Sequence, residues 1–274
     1  MPPHQLWITI TSEPEGFLAW IQRALIGLWE ALVGFLNWIP EAPGEVWQAL
    51  ASVWEAFPGL WSLTIGGVWE TLFITFASTA FAYVLGIPLG VMLVVFRKDH
   101  LAPHPRVHSL LDVMVNILRS VPFLILMIAV FPLTRAIMGI TIGTEATIVP
   151  LVVASFPFVA RTVESSLLEV DPGVIEAAQA MGANRFQIVC KVILREAVPG
   201  LVNGAALATT AILGYSALAG AIGGGGLGAI AINYGYHRYR TDVLWFTIVQ
   251  LVLLVQGIQF LGTRVSRLLD HRQR

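Results

Sequence analysis

Thr71–Phe96 reads TLFITFASTAFAYVLGIPLGVMLVVF and contains no charged side chain. A bilayer's hydrocarbon core is about 30 Å thick and a helix rises about 1.5 Å per residue, so about 20 apolar residues cross it. The stretch therefore predicts a membrane-spanning helix. Composition agrees: of 274 residues, 56% are hydrophobic and 12% charged, against roughly 25% charged in an average soluble domain. Sixteen Lys and Arg against seventeen Asp and Glu give a net charge of -1. That balance leaves no basic excess to hold a phosphate backbone, so nucleic acid is not an expected partner. The single cysteine, Cys190, excludes an intramolecular disulfide framework and a Cys-rich metal centre.

Four further stretches approach the length of a span. One covers roughly 110–134 and contains Arg119 and Pro122. Another runs from about 146 to 160, and extends further if Arg161 snorkels toward the headgroups. A fourth lies within 197–237, where the glycine cluster predicts a helix end near Ile222. The last is 243–263, followed by a basic tail. The expected architecture is an all-α, polytopic membrane bundle of five core helices occupying 61–274. Cytoplasmic loops carry the excess of Lys and Arg. Eleven of the sixteen lie after the first span, after the third and in the tail, and four on the opposite side. The N-terminus is thus expected outside and the C-terminus in the cytoplasm.

Residues 1–60 read differently. Phe17–Ile39 is long enough to span, but Arg23, Glu30 and Asn37 are costly in hydrocarbon. Trp20, Trp29, Trp38 and Trp47 recur every nine residues, within a short element seen as LWEAL, VWQAL, VWEAF and VWETL. Tryptophan favours the headgroup zone, which suits an amphipathic helix lying in the interface, and low-complexity drift gives the same pattern. No basic segment precedes the first apolar stretch, so a cleavable signal peptide is not expected.

The loop 171–198, DPGVIEAAQAMGANRFQIVCKVILREAV, carries helix punctuation. Asp171 can cap a helix whose first residue is Pro172, and Gly182 can end it in a left-handed conformation. Asn184 and Gln187 form a capping-box pair for a second helix. The small Ala177, Ala178 and Ala180 would let the first helix enter a groove on a partner.

EAAQAMG and the helix after it resemble the EAA loop of ABC importer permeases, the binding-protein-dependent family. Glu176, Ala177, Ala178, Gly182 and Leu194 match the pattern at its spacing, with Val192 for the isoleucine and Arg195 where the pattern has proline. The resemblance implies a type I importer permease fold, with this loop as the coupling helix that sits in a cleft of a cytoplasmic ATPase subunit. Three stretches, LRSVPFLILMIAVFPLTRAI (118–137), IGTEATIVPLVVASFPFVARTVE (142–164) and GYSALAGAIGGGGLGAIAINYGYHRY (214–239), are similar to methionine importer permeases. The similarity runs from about Trp69 to the C-terminus. It implies a homodimer working with two ATPase subunits, which hold ATP and Mg, and an extracytoplasmic methionine-binding protein. This chain itself would bind no cofactor. Importers for another amino acid, an osmolyte or a phosphonate share the glycine-rich feature and form the alternative.

No G-x-x-x-x-G-K-[ST] occurs, so ATP hydrolysis is expected on a separate chain. The run 223–228 satisfies G-x-G-x-x-G but follows a membrane helix rather than a strand, which argues against a dinucleotide site. Gly220, Gly224 and Gly228, at four-residue spacing, suit close helix contact or a hinge in lipid. Arg119, Pro122, Tyr215 and Ser216 are candidates for the pathway or its gate, although Arg119 could equally snorkel to the inner face. His100, His104 and His108 are interrupted by prolines that deny the helix a metal site would need. Glu164, Glu169 and Asp171 read as solvated loop charges, and His237–Arg240 as an exposed outer cluster. No catalytic group set converges. A lone secondary transporter would need carboxylates in its spans, where only Asp112 comes near.

Overall fold

The computed structural model describes Glu30, residues 43–98 and residues 100–269. Of the extension expected over 1–60, residues 1–29 and 31–42, with Trp20, Trp29 and Trp38, lie outside them, and residues 43–60, with Trp47, are helical. The chain divides into two units, Met1–Pro58 and Gly59–Arg274, and the second carries every feature discussed below.

The described elements are helical. They comprise α1 (Pro43–Val95), α2 (Pro105–Ser120), α3 (Phe123–Ala129), α4 (Phe131–Met138), α5 (Ile148–Leu168) and α6 (Pro172–Ala180). There follow α7 (Arg185–Gln187), a π-helical turn Ile188–Ile193, α8 (Leu194–Glu196) and α9 (Val198–Ala219). A 3-10 turn Gly220–Ile222, α10 (Gly226–Ile230), a second π turn Ala231–Tyr236 and α11 (Thr241–Leu269) complete the order. Among the described residues, four stretches, Pro58–Val95, Ile148–Leu168, Val198–Tyr236 and Thr241–Leu269, are long and apolar enough to cross a membrane. The pair α2 and α3 makes a fifth if its two parts count as one span.

That pair breaks the span expected over roughly 110–134 at its proline. The chain bends by 104° between α2 and α3. Pro122 precedes α3 with ψ 134, and Val121 before it is extended, as a residue preceding proline is driven to be. The third span also runs past its expected end. Arg161 lies inside α5, where Asp112, Asn116 and Glu164 receive its guanidinium. Paired in this way, Arg161 stands within a helix that continues to Leu168. Glu164 is thereby corrected from a solvated loop charge to a buried helical partner, 8% exposed.

Helix contact rests on small residues. A methyl group at Gly86 or Gly90 would strike Val159, Ala160 and Val163 of α5 at 2.6–3.2 Å, and one at Gly204 would meet Thr162 at 2.4 Å. Glycine therefore sets the spacing of α1 and α9 against α5, as expected where lipid supplies no hydrophobic drive between helices. The core follows that contact. Ile74, Leu151, Val159, Val163 and Ile212 form its centre, and Ile188, Ile193 and Ala178 from the loop after α5 belong to the same cluster. The loop is thus rooted in the bundle.

Candidate functional site

Three places concentrate the predicted site residues. The first is the loop after α5. The Asp171 carboxylate accepts from the Gly173 N–H at 2.7 Å, and Pro172 opens α6 where its missing donor costs nothing. Gly182 adopts φ +78 and its N–H donates to the Gln179 carbonyl at 2.9 Å. Asn184 and Gln187 form a reciprocal capping box, both bonds 2.9 Å. Each end signal read from sequence has its hydrogen bond.

The five motif residues then separate by direction. Ala178 is 4% exposed and Leu194 half-buried, both packed into the core cluster. Glu176, Ala177 and Gly182 face outward. Met181 and Phe186 flank the turn at 81% and 77% exposure. Sequence reading passed over these two, because a methionine and a phenylalanine in an apolar chain carry no mark. The expected second helix is also not regular. After three α residues it widens into the π turn Ile188–Ile193 and then merges toward α9. The family pattern's proline, replaced here by Arg195, would have stood just after this turn.

The second place is the glycine hairpin after α9. The helix ends where expected, with the 3-10 turn closing at Ile222 and Gly223 at φ +90. Gly225 and Gly226 follow at φ +77 and +71, a conformation that side chains resist. Gly220, Gly224 and Gly228 do not form the stripe along one helix that their spacing suggests, because these three turns reverse the chain between them. A methyl group at Gly220 would lie 2.3 Å from the Ala229 nitrogen, and one at Gly228 2.2 Å from the Ala217 oxygen. The two strokes of the hairpin therefore touch backbone to backbone. Polar groups fasten its tip. The Gly226 N–H donates to Glu70 at 2.7 Å, the Leu227 N–H to the Thr71 hydroxyl at 2.9 Å, and the Thr147 hydroxyl to the Gly224 carbonyl at 3.3 Å. Glu70 carries no local sequence signal for this role, since its partner lies 156 residues away.

The third place is the break between α2 and α3. A cavity of about 160 Å³ opens there, lined by Arg119, Phe123, Leu126, Ala154, Phe158 and Tyr215 among others. Tyr215 stacks on Phe123 with ring centroids 4.7 Å apart and planes 13° from parallel. Arg119 and Tyr215, predicted as pathway residues from separate stretches of the chain, thus line one cavity, and Pro122 shapes the corner beside it. Ser216 is not at the cavity wall. It is buried and its hydroxyl donates to the Leu213 carbonyl.

Two lesser expectations resolve simply. His100 and His104 precede α2, which begins at Pro105, while His108 lies within it; the three do not share one helix face. In the outer cluster, the Arg238 guanidinium lies 4.4 Å from the Tyr234 ring centre, and Arg240 pairs with Asp242 at 2.7 Å. The hydrogen bond to Asp242 holds the Arg240 guanidinium above its usual range.

With this geometry in view, comparison with known proteins is specific. The model of the family described as the binding-protein-dependent transport system inner membrane component matches residues 86–274. A probable D-methionine transport system permease of Vibrio cholerae is 47% identical over 210 residues, covering 77% of this chain and 93% of the relative. The D-methionine transport system permease of Escherichia coli K12 is 48% identical over 60% of this chain and 75% of its own length. Among solved structures, a chain of the methionine ABC transporter MetNI in an inward-facing conformation superposes with a TM-score of 0.76. It is 48% identical and covers 78% of this chain and 99% of that one. An amino acid ABC transporter at 20% identity and TM-score 0.65 shares the fold alone. The capped loop rooted in a helical membrane bundle, together with a family match over most of the chain, makes this protein a member of the binding-protein-dependent transport system inner membrane components, a multi-pass permease of the inner membrane.

Proposed function

We propose that the chain is the permease subunit of an ATP-driven importer for methionine. The observation that carries the reading is the loop after α5. It projects Glu176, Ala177, Met181 and Phe186 outward while Ala178, Ile188 and Ile193 anchor it in the core. Such an element transmits force, because a partner gripping its outer side moves the helices to which its inner side is packed. The identity with relatives named as D-methionine permeases supplies the substrate.

In this reading two copies of the chain enclose the pathway. Two ATPase subunits, holding ATP and Mg, receive the two loops on the cytoplasmic side, and an extracytoplasmic binding protein delivers methionine from the other. Closure of the ATPase pair shifts the bundle between inward-open and outward-open states, and only contacts that differ between those states can do so. Met181 and Phe186 fill apolar recesses in the ATPase cleft, and Glu176 supplies a charged contact. The N-terminus lies outside and the C-terminus in the cytoplasm, the side where the Lys and Arg excess lies.

The test is uptake of labelled methionine by vesicles carrying this chain with its ATPase and binding protein. Uptake that requires ATP and is competed by unlabelled methionine, but not by osmolytes, is expected. Uptake indifferent to ATP would overturn the class, and ATP-driven uptake of another solute would overturn the substrate.

A further inference from the structure

Arg119 of α2 and Arg161 of α5 both stand in span-forming helices, and their surroundings differ. Arg161 is received by Asp112, Asn116 and Glu164. Arg119 sits one to two turns beyond Asp112 and Asn116 on the same helix, α2, yet it has no ion-pair partner among the described residues. A helix rises about 1.5 Å per residue, which puts Arg119 roughly 20 Å along α2 from Pro105. An uncompensated guanidinium at such a place is expensive unless it faces water or an anionic ligand.

What Arg119 does face is the cavity at the α2–α3 break. Its walls are chemically divided. Arg119 supplies the charged group of its lining, and the stacked Phe123 and Tyr215 rings with Leu126 and Phe158 supply an apolar one. A guanidinium is shaped to receive a carboxylate through two parallel N–H bonds. Aromatic rings receive an alkyl or thioether group, and sulfur near a ring edge is favourable. The break adds a third element. The last carbonyls of α2 have no intrahelical donors, so the negative end of the helix dipole is presented beside Arg119 and suits an ammonium group. Size agrees as well: about 160 Å³ is close to the ~150 Å³ of an apolar cavity that admits benzene. One unbranched side chain fits.

We infer that this cavity is a resting site for the transported amino acid within the permease. The Arg119 guanidinium receives the α-carboxylate, and the Phe123–Tyr215 pair receives the side chain. The inference rests on the reading of the chain as an amino acid permease, and it assigns Arg119 to the backbone of the solute and the ring pair to its identity. Arg119 therefore serves any α-amino acid that the complex carries, whereas the rings select thioether and straight alkyl side chains.

The experiment uses the full complex in vesicles with its ATPase and binding protein. A diazirine analogue of methionine, which keeps the α-carboxylate, is photolysed during ATP-driven turnover. Adducts are expected on the 118–126 segment or beside Tyr215, and excess methionine should suppress them. Arg119→Gln should lower both adduct yield and methionine uptake about tenfold or more, the loss typical of one charge-assisted hydrogen bond. Arg119→Lys, which keeps the charge, should retain a larger share of both, and co-purification with the ATPase subunit reports that each variant has folded. Adducts confined to other segments, or an Arg119→Gln complex that labels and transports like the wild type, would overturn the site and leave Arg119 as a snorkelling side chain. If the wild type carries a different amino acid, the methionine reading fails while the Arg119 effect on uptake of that solute should persist. If it carries no amino acid, both fall.

Discussion

Arg161 shows how one side chain decides the length of an element. Its guanidinium, 21% exposed, is shared between α5 and two residues of α2, and without them a charge would interrupt a 21-residue helix. Removing one partner of a half-buried pair leaves the other charge poorly matched, which costs more than the pair contributes. Asp112→Asn should therefore lower stability by about 1–3 kcal/mol, read as an earlier thermal midpoint in detergent. The double variant Asp112→Asn with Arg161→Gln should recover part of that loss, since neither charge is then left alone. An unchanged midpoint in the single variant would show that Glu164 and Asn116 suffice.

At the scale of elements, the loop after α5 and the glycine hairpin fail in different ways when altered. Gly182→Pro asks for φ near −65° where the chain has φ +78, and it removes the N–H that bonds to Gln179. Since nothing lies within 4 Å of a methyl group at Gly182, the damage is to the direction of the loop and not to packing. Uptake should fall while membrane insertion persists, and ATP hydrolysis should lose its dependence on the loaded binding protein. Glu176→Lys should act the same way by reversing an exposed charge. Normal coupled uptake by both would remove the loop from the coupling role. In the hairpin, Gly228→Val must push against the Ala217 backbone, which cannot yield, so the folded yield in membranes should drop sharply. Gly214→Ala, with open space around it, is the matching control and should express as wild type.

These elements also mark what a reader of sequence can see. Caps are local, three residues or fewer apart, so Asp171, Gly182, Asn184 and Gln187 could be assigned to their roles before any coordinates. The helix end near Ile222, where the 3-10 turn after α9 closes, was legible for the same reason. The corner at Pro122 was visible only as a proline, because a proline marks where a helix breaks but not the angle, here 104°, at which the chain resumes. Likewise Arg161 and Asp112 lie 49 residues apart, and nothing near either announces the other. Arg119 and Tyr215 could each be suspected, but that they share one cavity emerges only when α2, α5 and α9 are assembled.

For the molecule as a whole, the charge distribution makes a prediction independent of any site. A reporter active only in the cytoplasm should be active at the C-terminus and silent at the N-terminus, given the Lys and Arg excess on the C-terminal side. Activity at both ends would mean a sixth span before residue 61 and would reverse the account of the tryptophan-rich extension. The bond between Glu70 and the Gly226 N–H bears on how such a molecule is made. Chains leave the ribosome from the N-terminus, so the Glu70 carboxylate enters the membrane region long before Gly226, 156 residues later, has been synthesised. Until then it lacks its mate, and a nascent chain cut short before the hairpin keeps that carboxylate unmatched. The contact is thus a record of completion, and prematurely ended chains should be degraded faster than full-length ones in a pulse-chase, with Glu70→Gln narrowing the difference.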